Sequence, residues 1–247
     1  MTQEHSSYFE AVGRARAVKA STFGVLSDAL RTAQARRVVD LGCGVGAMAA
    51  KLADNGFELT GVDPSEAVLE QARARAPGVD FRRGIAEKPP TDLHGFDAAY
   101  FLNSLHHVPA AHMREAVVAA LAVVRPGGIV VVVEPLAMGS YFRVMRPVED
   151  ETAIRALAAQ AVDGLIADGL VELLDLRRWE QDISFRALDD MITSLVRVDP
   201  AREAAVTGNA ALLAKAWREN VSVRENKAFL TQPFIAWILA RRQSLPA

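Results

Sequence analysis

"VVDLGCGVGAMAAKLA", Val38 to Ala53, sets Gly42, Gly44 and Gly46 at alternate positions between an apolar run and an alanine-rich stretch. The run reads as a β-strand and the stretch as an α-helix. A strand that passes through a glycine turn straight into a helix aims the helix's free N–H groups at whatever occupies the turn. Glycine there lets the backbone turn sharply and lets a ligand lie against it without interference from a Cβ.

Outward from this turn the chain alternates. The short runs RRVVDLG, FELTGVD, VDFRRG, FDAAYFLN and GIVVVVEP are separated by the amphipathic stretches AMAAKLADN, SEAVLEQARARA and HMREAVVAALAVV. Alternation at this length predicts an α/β fold, a parallel sheet covered on both faces with right-handed crossovers. Pro64 and Ser65 start a helix, and Pro126-Gly127-Gly128 ends a later one and turns the chain into a strand. Upstream, Phe9, Val12, Phe23, Leu26 and Leu30 keep helical spacing over Tyr8 to Leu30, giving one or two N-terminal helices. Beyond Pro135 the rhythm changes. Glu149 to Asp168 reads as a long helix, Val171 to Phe185 as a strand region, Leu188 to Val198 and Ala201 to Asn220 as helices, and Lys227 to Arg241 as a final strand.

Half of the 247 residues are apolar, and the two signs of charge nearly balance at a net −2. That composition is ordinary for a globular domain and gives no general attraction to nucleic acid or to an anionic membrane. Arg36, Arg37, Arg82 and Arg83 either form a local basic patch or lie at solvated strand ends. A lone cysteine, Cys43, excludes an internal disulfide framework and fits a reducing compartment, read as cytoplasmic. The N-terminus lacks an apolar signal core, and the longest apolar run, IVVVVEP, is strand-sized. No linker divides the chain, so it reads as one domain.

The glycine loop alone leaves the ligand open, because "GCGVGA" also satisfies the dinucleotide pattern G-x-G-x-x-G/A with Ala47 in the last place. Asp40 discriminates further. It stands two residues before Gly42, where an anion repels a pyrophosphate yet suits the cationic amino-acid end of S-adenosylmethionine. The competing reading is an aspartate that braces the loop or caps the helix. Asp63, 17 residues past Gly46 at the end of the next strand, can accept both hydroxyls of a ribose, or can serve as a plain N-cap. Cys43 is either a thiol activated at a helix N-terminus or a small side chain filling tight space.

The segments "VVDLGCGVG", "GVDPSEAVLEQAR", "FDAAYFLNSLHHV" and "LAVVRPGGIVVVVEP" together resemble, in order and spacing, the class I S-adenosylmethionine-dependent methyltransferases. The likeness runs from about Arg36 to Pro135. It implies a Rossmann-like sheet of seven mostly parallel strands in the order 3-2-1-4-5-7-6, the last strand antiparallel. On that pattern 1–35 is an N-terminal helical lid and 36–135 the cofactor-binding half. Residues 136–226 are then a helical elaboration with the sixth strand, and 227–247 hold the final strand. The resemblance also implies that Asp40, Gly42, Gly44 and Gly46, with Cys43 between them, line the methionine portion of S-adenosyl-L-methionine. Asp63, with Pro64 beside it, would hold the ribose. Ala86 would meet the adenine through its backbone N–H. Many relatives carry an acidic residue just before that alanine. Here it is Ile85, so Glu87 or a backbone carbonyl would take its place.

In an open α/β sheet, ligands lie beyond the carboxyl ends of the strands at the point where strand order reverses. The loops there carry Asn103, Ser104, His106 and His107 in one, and Glu134, Met138, Tyr141, Phe142, Arg143 and Arg146 in the other. Methyl transfer is an in-line displacement in which the cofactor brings the activated group and leaves as S-adenosyl-L-homocysteine. The protein holds the nucleophile in line and removes a proton where the acceptor is a hydroxyl. His107 is the first choice of base and His106 the second, and a histidine at a helix start also braces loops. No histidine or cysteine spacing suggests a metal. Arg143 and Arg146 would grip an acceptor anion or pair with Glu149 and Asp150. Tyr8 and Phe9 would lie over the cofactor or pack in the core. Trp217 and Trp237 read as core. The region 149–220, with Leu157, Leu165 and Ile166, would cover the substrate or form a homodimer interface. The absence of an RNA-binding module and of a stacking face points to a small-molecule acceptor. The rivals are an NAD(P)-dependent oxidoreductase and a non-catalytic relative.

Overall fold

Parallel pairing spreads outward from the strand that feeds the glycine turn. In the computed structural model, which describes residues 11–242, that strand is β2 (Arg37–Leu41). It is bonded on one side to β3 (Glu58–Asp63) and on the other to β5 (Phe96–Leu102). β4 (Asp80–Arg83) follows β3 at one edge, and β6 (Val124–Pro135) follows β5. β9 (Lys227–Arg241) then inserts antiparallel between β6 and β7 (Val171–Phe185). These seven strands reproduce the expected order. Two more strands complete a sheet of nine among the described residues: β1 (Arg16–Ala17), parallel to β7 at the other edge, and β8 (Ser222–Arg224), a hairpin arm on β9.

Side chains alternate between two apolar layers, as the pleat requires. Val39, Leu41, Phe101, Val130, Val132 and Trp237 face α4 (Met113–Val123) and α6 (Thr152–Ala167). Val38, Ala98, Tyr100, Val131 and Ala236 face α1 (Thr22–Thr32), α2 (Ala47–Ala53) and α3 (Glu66–Arg75). Ser21 caps α1, its side-chain oxygen accepting the Gly24 N–H at 3.1 Å. This helix buries Val25, Leu26 and Leu30 on the sheet, so that part of the expected N-terminal lid is core. Before it, among the described residues, 11–14 are helical and β1 follows.

β7 and β9 outrun the rest of the sheet. β6 pairs with β9 only as far as Pro135 opposite Phe234, whereas β7 stays paired to Phe185 opposite Ala228. On this overhanging ribbon a third core forms with α5 (Gly139–Met145), α7 (Leu188–Val198) and α9 (Ala210–Asn220). α8 (Arg202–Gly208) joins α7 to α9, so the helical stretch expected over 201–220 is broken at Asn209. Trp237 is fully buried and its indole N–H donates to Asp163 at 3.0 Å, while Trp217 packs edge-on to Phe185 in the third core. In α6, Leu165 is core and Leu157 is exposed.

Buried charges tie the cap to the sheet. Arg155 donates twice to Glu151 and once, at 3.0 Å, to the Leu136 carbonyl just past β6. Arg202 reaches the same Glu151 at 3.4 Å and Glu149 at 2.6 Å. Arg155, Glu151 and Arg202 are all buried, so removing Arg155 leaves Glu151 away from water with only the longer 3.4 Å contact to Arg202. Arg155→Ala is therefore expected to lower stability by about 3–5 kcal/mol, seen as a drop in the urea midpoint. A change below about 1 kcal/mol would mean that water reaches Glu151.

Candidate functional site

The loop after β2 is held from beneath by β3. Gly42 and Cys43 both donate their N–H groups to the Val62 carbonyl, at 2.8 and 3.0 Å. Gly42 has φ +80°, and a Cβ there would stand 2.5 Å from the Cβ of Ser104. Ser104 belongs to the loop after β5 and donates its hydroxyl to the Leu41 carbonyl at 2.7 Å. The two loops thus touch through a missing side chain. Gly44, also at positive φ, is different, because a Cβ built on it meets nothing within 4 Å. Its outer face is open.

Asp63 fastens this loop. One carboxylate oxygen accepts the Gly44 N–H at 3.0 Å, and the other accepts the Ser65 N–H at 2.9 Å, at the start of α3. Each of these oxygens keeps a second lone pair, so bracing the loop and the start of α3 leaves the carboxylate able to accept further hydrogen bonds. Pro64 beside it is exposed. The Gly84 N–H donates to the Asp63 carbonyl at 3.1 Å and brings the next turn alongside. There Ile85 and Lys88 close a tight bridge, Ile85 is exposed, and Ala86 and Glu87 are half-buried.

Asp40 is 2 % exposed. One of its oxygens accepts the Tyr100 hydroxyl at 2.6 Å, and the other has no partner. Burial drives its pKa up to about 7, the Tyr100 hydrogen bond opposes that rise, and nearby Asp63 adds to it. Tyr100 stands directly opposite Asp40 across β2 and β5. Sequence reasoning missed it, and the one available signal was a phenol in the otherwise apolar run FDAAYFL. Cys43 is a packing residue: burial, with Asp40 and Asp63 nearby, pushes its thiol pKa far up. Its sulfur would lie 2.9 Å from a Cβ on Gly61.

The loop after β5 starts at Asn103, exposed, with φ +54°, and with its N–H on the Val133 carbonyl at 2.9 Å. A 3₁₀ turn, Leu105–His107, follows. His106 is buried and its Nδ1 bonds Glu134, whose other oxygen accepts the Leu105 N–H at 3.0 Å. The two ends of adjacent strands are joined there, and His106 braces the loop. His107 lies against it, ring centroids 4.1 Å apart, and reaches solvent. Loss of surrounding water, with His106 close by, holds its pKa below the ordinary histidine value, against the pull of Glu151 and Glu134.

Arg143 and Arg146, expected to grip an acceptor anion or to pair with nearby carboxylates, both have partners. Arg143 donates to Asn220 at 2.5 Å and Arg146 to Asp150 at 2.9 Å, so the pairing alternative holds for Arg146. Met138 precedes α5, Phe142 lies under the Arg155 guanidinium, and Tyr141 stacks on Phe185. Tyr8 and Phe9 lie outside the described residues. Among the described residues no helix is long and apolar enough to cross a membrane.

Residues 38–128 match the family described as "Methyltransferase domain". An uncharacterized methyltransferase of Mycobacterium tuberculosis is 37% identical over 101 residues, which is 41% of this chain and 40% of that protein. A ubiquinone biosynthesis O-methyltransferase of Alkalilimnicola ehrlichii is 37% identical over 103 residues, 40% of this chain and 41% of its own length. The chain thus spans about two fifths of the length of these curated relatives. The fold is also that of a methyltransferase from Geobacter sulfurreducens solved with S-adenosyl-L-homocysteine. That structure has a TM-score of 0.57 and 19% identity, and the match covers 98% of this chain and 99% of that one.

Gly42→Ala forces a methyl into Ser104 at a backbone angle that alanine resists. It is expected to destabilise the fold by roughly 1–3 kcal/mol, measured by thermal unfolding. Gly44→Ala has open space, so a larger loss there than at Gly42 would contradict the geometry.

Proposed function

We propose that this chain, whose residues 38–128 carry a class I methyltransferase domain, moves a methyl group from S-adenosyl-L-methionine to a small-molecule acceptor. The observation that carries this reading is the unpartnered buried oxygen of Asp40, on the strand that feeds the glycine turn. A buried carboxylate with one idle oxygen, close to a second carboxylate, favours a cationic guest and disfavours a diphosphate. That weighs against a nicotinamide dinucleotide.

The bound cofactor supplies a methyl group already activated on a sulfonium. Asp40 meets the ammonium of its amino-acid end, directly or through water. Gly42, Gly44 and Gly46 let that portion lie against the backbone. Asp63 receives the ribose hydroxyls on its remaining lone pairs, next to Pro64. Ala86 offers its N–H to the adenine, and Glu87 stands in for the acidic group that Ile85 replaces. Asn103 borders the cofactor from the β5 side. His107 takes the proton of a hydroxyl acceptor, its lowered pKa keeping the ring neutral and basic near pH 7. His106, committed to Glu134, positions that loop rather than reacting.

Binding of S-adenosyl-L-homocysteine, which retains the ammonium, should ionise Asp40 and release a proton. Burial raises the Asp40 pKa to about 7, so lowering the pH below neutral increasingly protonates it. Calorimetry in buffers of different ionisation enthalpy should show that release, with affinity dropping by about tenfold per pH unit toward pH 5.5. Asp63→Asn should weaken binding by at least about tenfold. Tighter binding of NADH than of S-adenosyl-L-homocysteine would overturn the reading. With an oxygen acceptor, His107→Gln should lower kcat by about 10²–10⁴ while leaving S-adenosyl-L-homocysteine affinity unchanged.

A further inference from the structure

A cavity of about 500 Å³ opens where β1 ends against β7 and the chain turns away after β6. Its size falls in the range of small-ligand sites. Val12, Leu136, Met138 and Phe234 supply apolar wall, and Lys19, Arg178 and Glu180 are its charged residues. Leu136 lies three residues beyond Val133, whose carbonyl holds Asn103, so the cavity and the histidine loop share the carboxyl edge of the sheet.

The charges around the cavity are unevenly satisfied. Arg16 and Arg177, on the same two strands, share Asp175 at 2.8 and 2.7 Å, and Arg177 also takes Asp28 at 2.6 Å. Those carboxylates are occupied. Lys19 and Arg178 make no side-chain hydrogen bond or ion pair among the described residues. Among the described residues Glu180 is the one carboxylate in the lining, and the charges these residues bring sum to a single positive on a mostly apolar wall. A surplus cation beside apolar surface selects by charge as well as by shape, and a guanidinium can grip a carboxylate through two parallel N–H groups.

From this we infer that the cavity receives the methyl acceptor, and that the acceptor is a small molecule with an apolar body and one anionic group held by Lys19 and Arg178. The word acceptor rests on the methyltransferase reading. The preference for an anion does not.

The test titrates 2-naphthoate and its neutral isostere 2-naphthamide into the full chain by calorimetry. The proteins are wild type, Arg178→Ala and the Lys19→Ala/Arg178→Ala double variant. Affinity for S-adenosyl-L-homocysteine is measured on each. Naphthoate should bind at least about tenfold tighter than the amide, and the double variant should lose that preference. Both variants should keep wild-type affinity for S-adenosyl-L-homocysteine, because Lys19 and Arg178 are exposed and make no side-chain bond to the glycine loop among the described residues. Saturation with S-adenosyl-L-homocysteine should leave naphthoate binding in place. Equal affinity for the two probes, a preference that survives in the double variant, or mutual exclusion with S-adenosyl-L-homocysteine each overturns the inference. Failure of wild type to bind S-adenosyl-L-homocysteine while naphthoate still discriminates would remove the methyltransferase reading alone.

Discussion

A carboxylate shut away from water with half of its hydrogen-bonding capacity unused is the constraint around which this fold is arranged. Leaving such a group unsatisfied costs folding free energy, and a chain selected for stability alone would replace it. Here the surroundings retain it. Tyr100 reaches across from β5 to hold one oxygen, and the glycine turn passes overhead without a side chain to fill the remaining space. Asp63 pins that turn from the neighbouring strand and starts α3 with its other oxygen. Two carboxylates at adjacent strand ends therefore divide the work. Asp63 fixes the backbone with one hydrogen bond on each oxygen, and Asp40 keeps one oxygen buried and without a partner.

The same division recurs at the next pair of strand ends. Glu134 is spent on the Leu105 N–H and on His106, and so the 3₁₀ turn that carries His107 is fixed at both sides. Buried anchors hold exposed, titratable groups at the rim. The cap follows the rule with Glu151, which is shared by Arg155 and Arg202. At both of these places a buried charged or imidazole side chain locates a neighbouring segment.

Much of this was legible in the residues. The β2 turn, the five strands of the first half, and the strands Val171–Phe185 and Lys227–Arg241 all follow from runs of β-branched residues bounded by turns. Elements without such a signature escaped. β1 is two residues long, β8 is a three-residue hairpin arm, and α5 is a seven-residue helix opened by Gly139. β6 begins at Val124, because Pro126-Gly127-Gly128 bulges within the ladder instead of preceding it. At the site, the glycines and both aspartates were readable from spacing. The partners Tyr100 and Glu134 were not readable as partners, because contacts over 60 and 28 residues of separation are created by strand order, not by local pattern. Arg146 with Asp150 is the converse case, an i,i+4 pair that the chain announces locally.

The overhang of β7 and β9 has a mechanical meaning. A cap carried on the free ends of strands whose other halves lie in the main sheet is a cantilever, with no flexible stalk about which to swing. Tilting it as a unit would require breaking rungs between β7 and β9 or bending the sheet itself, both expensive beside ordinary loop motion. β1 lies against β7 on its outer side and contributes only two residue pairs to the sheet's margin. The architecture sets a fixed roof beside a margin held by only two rungs.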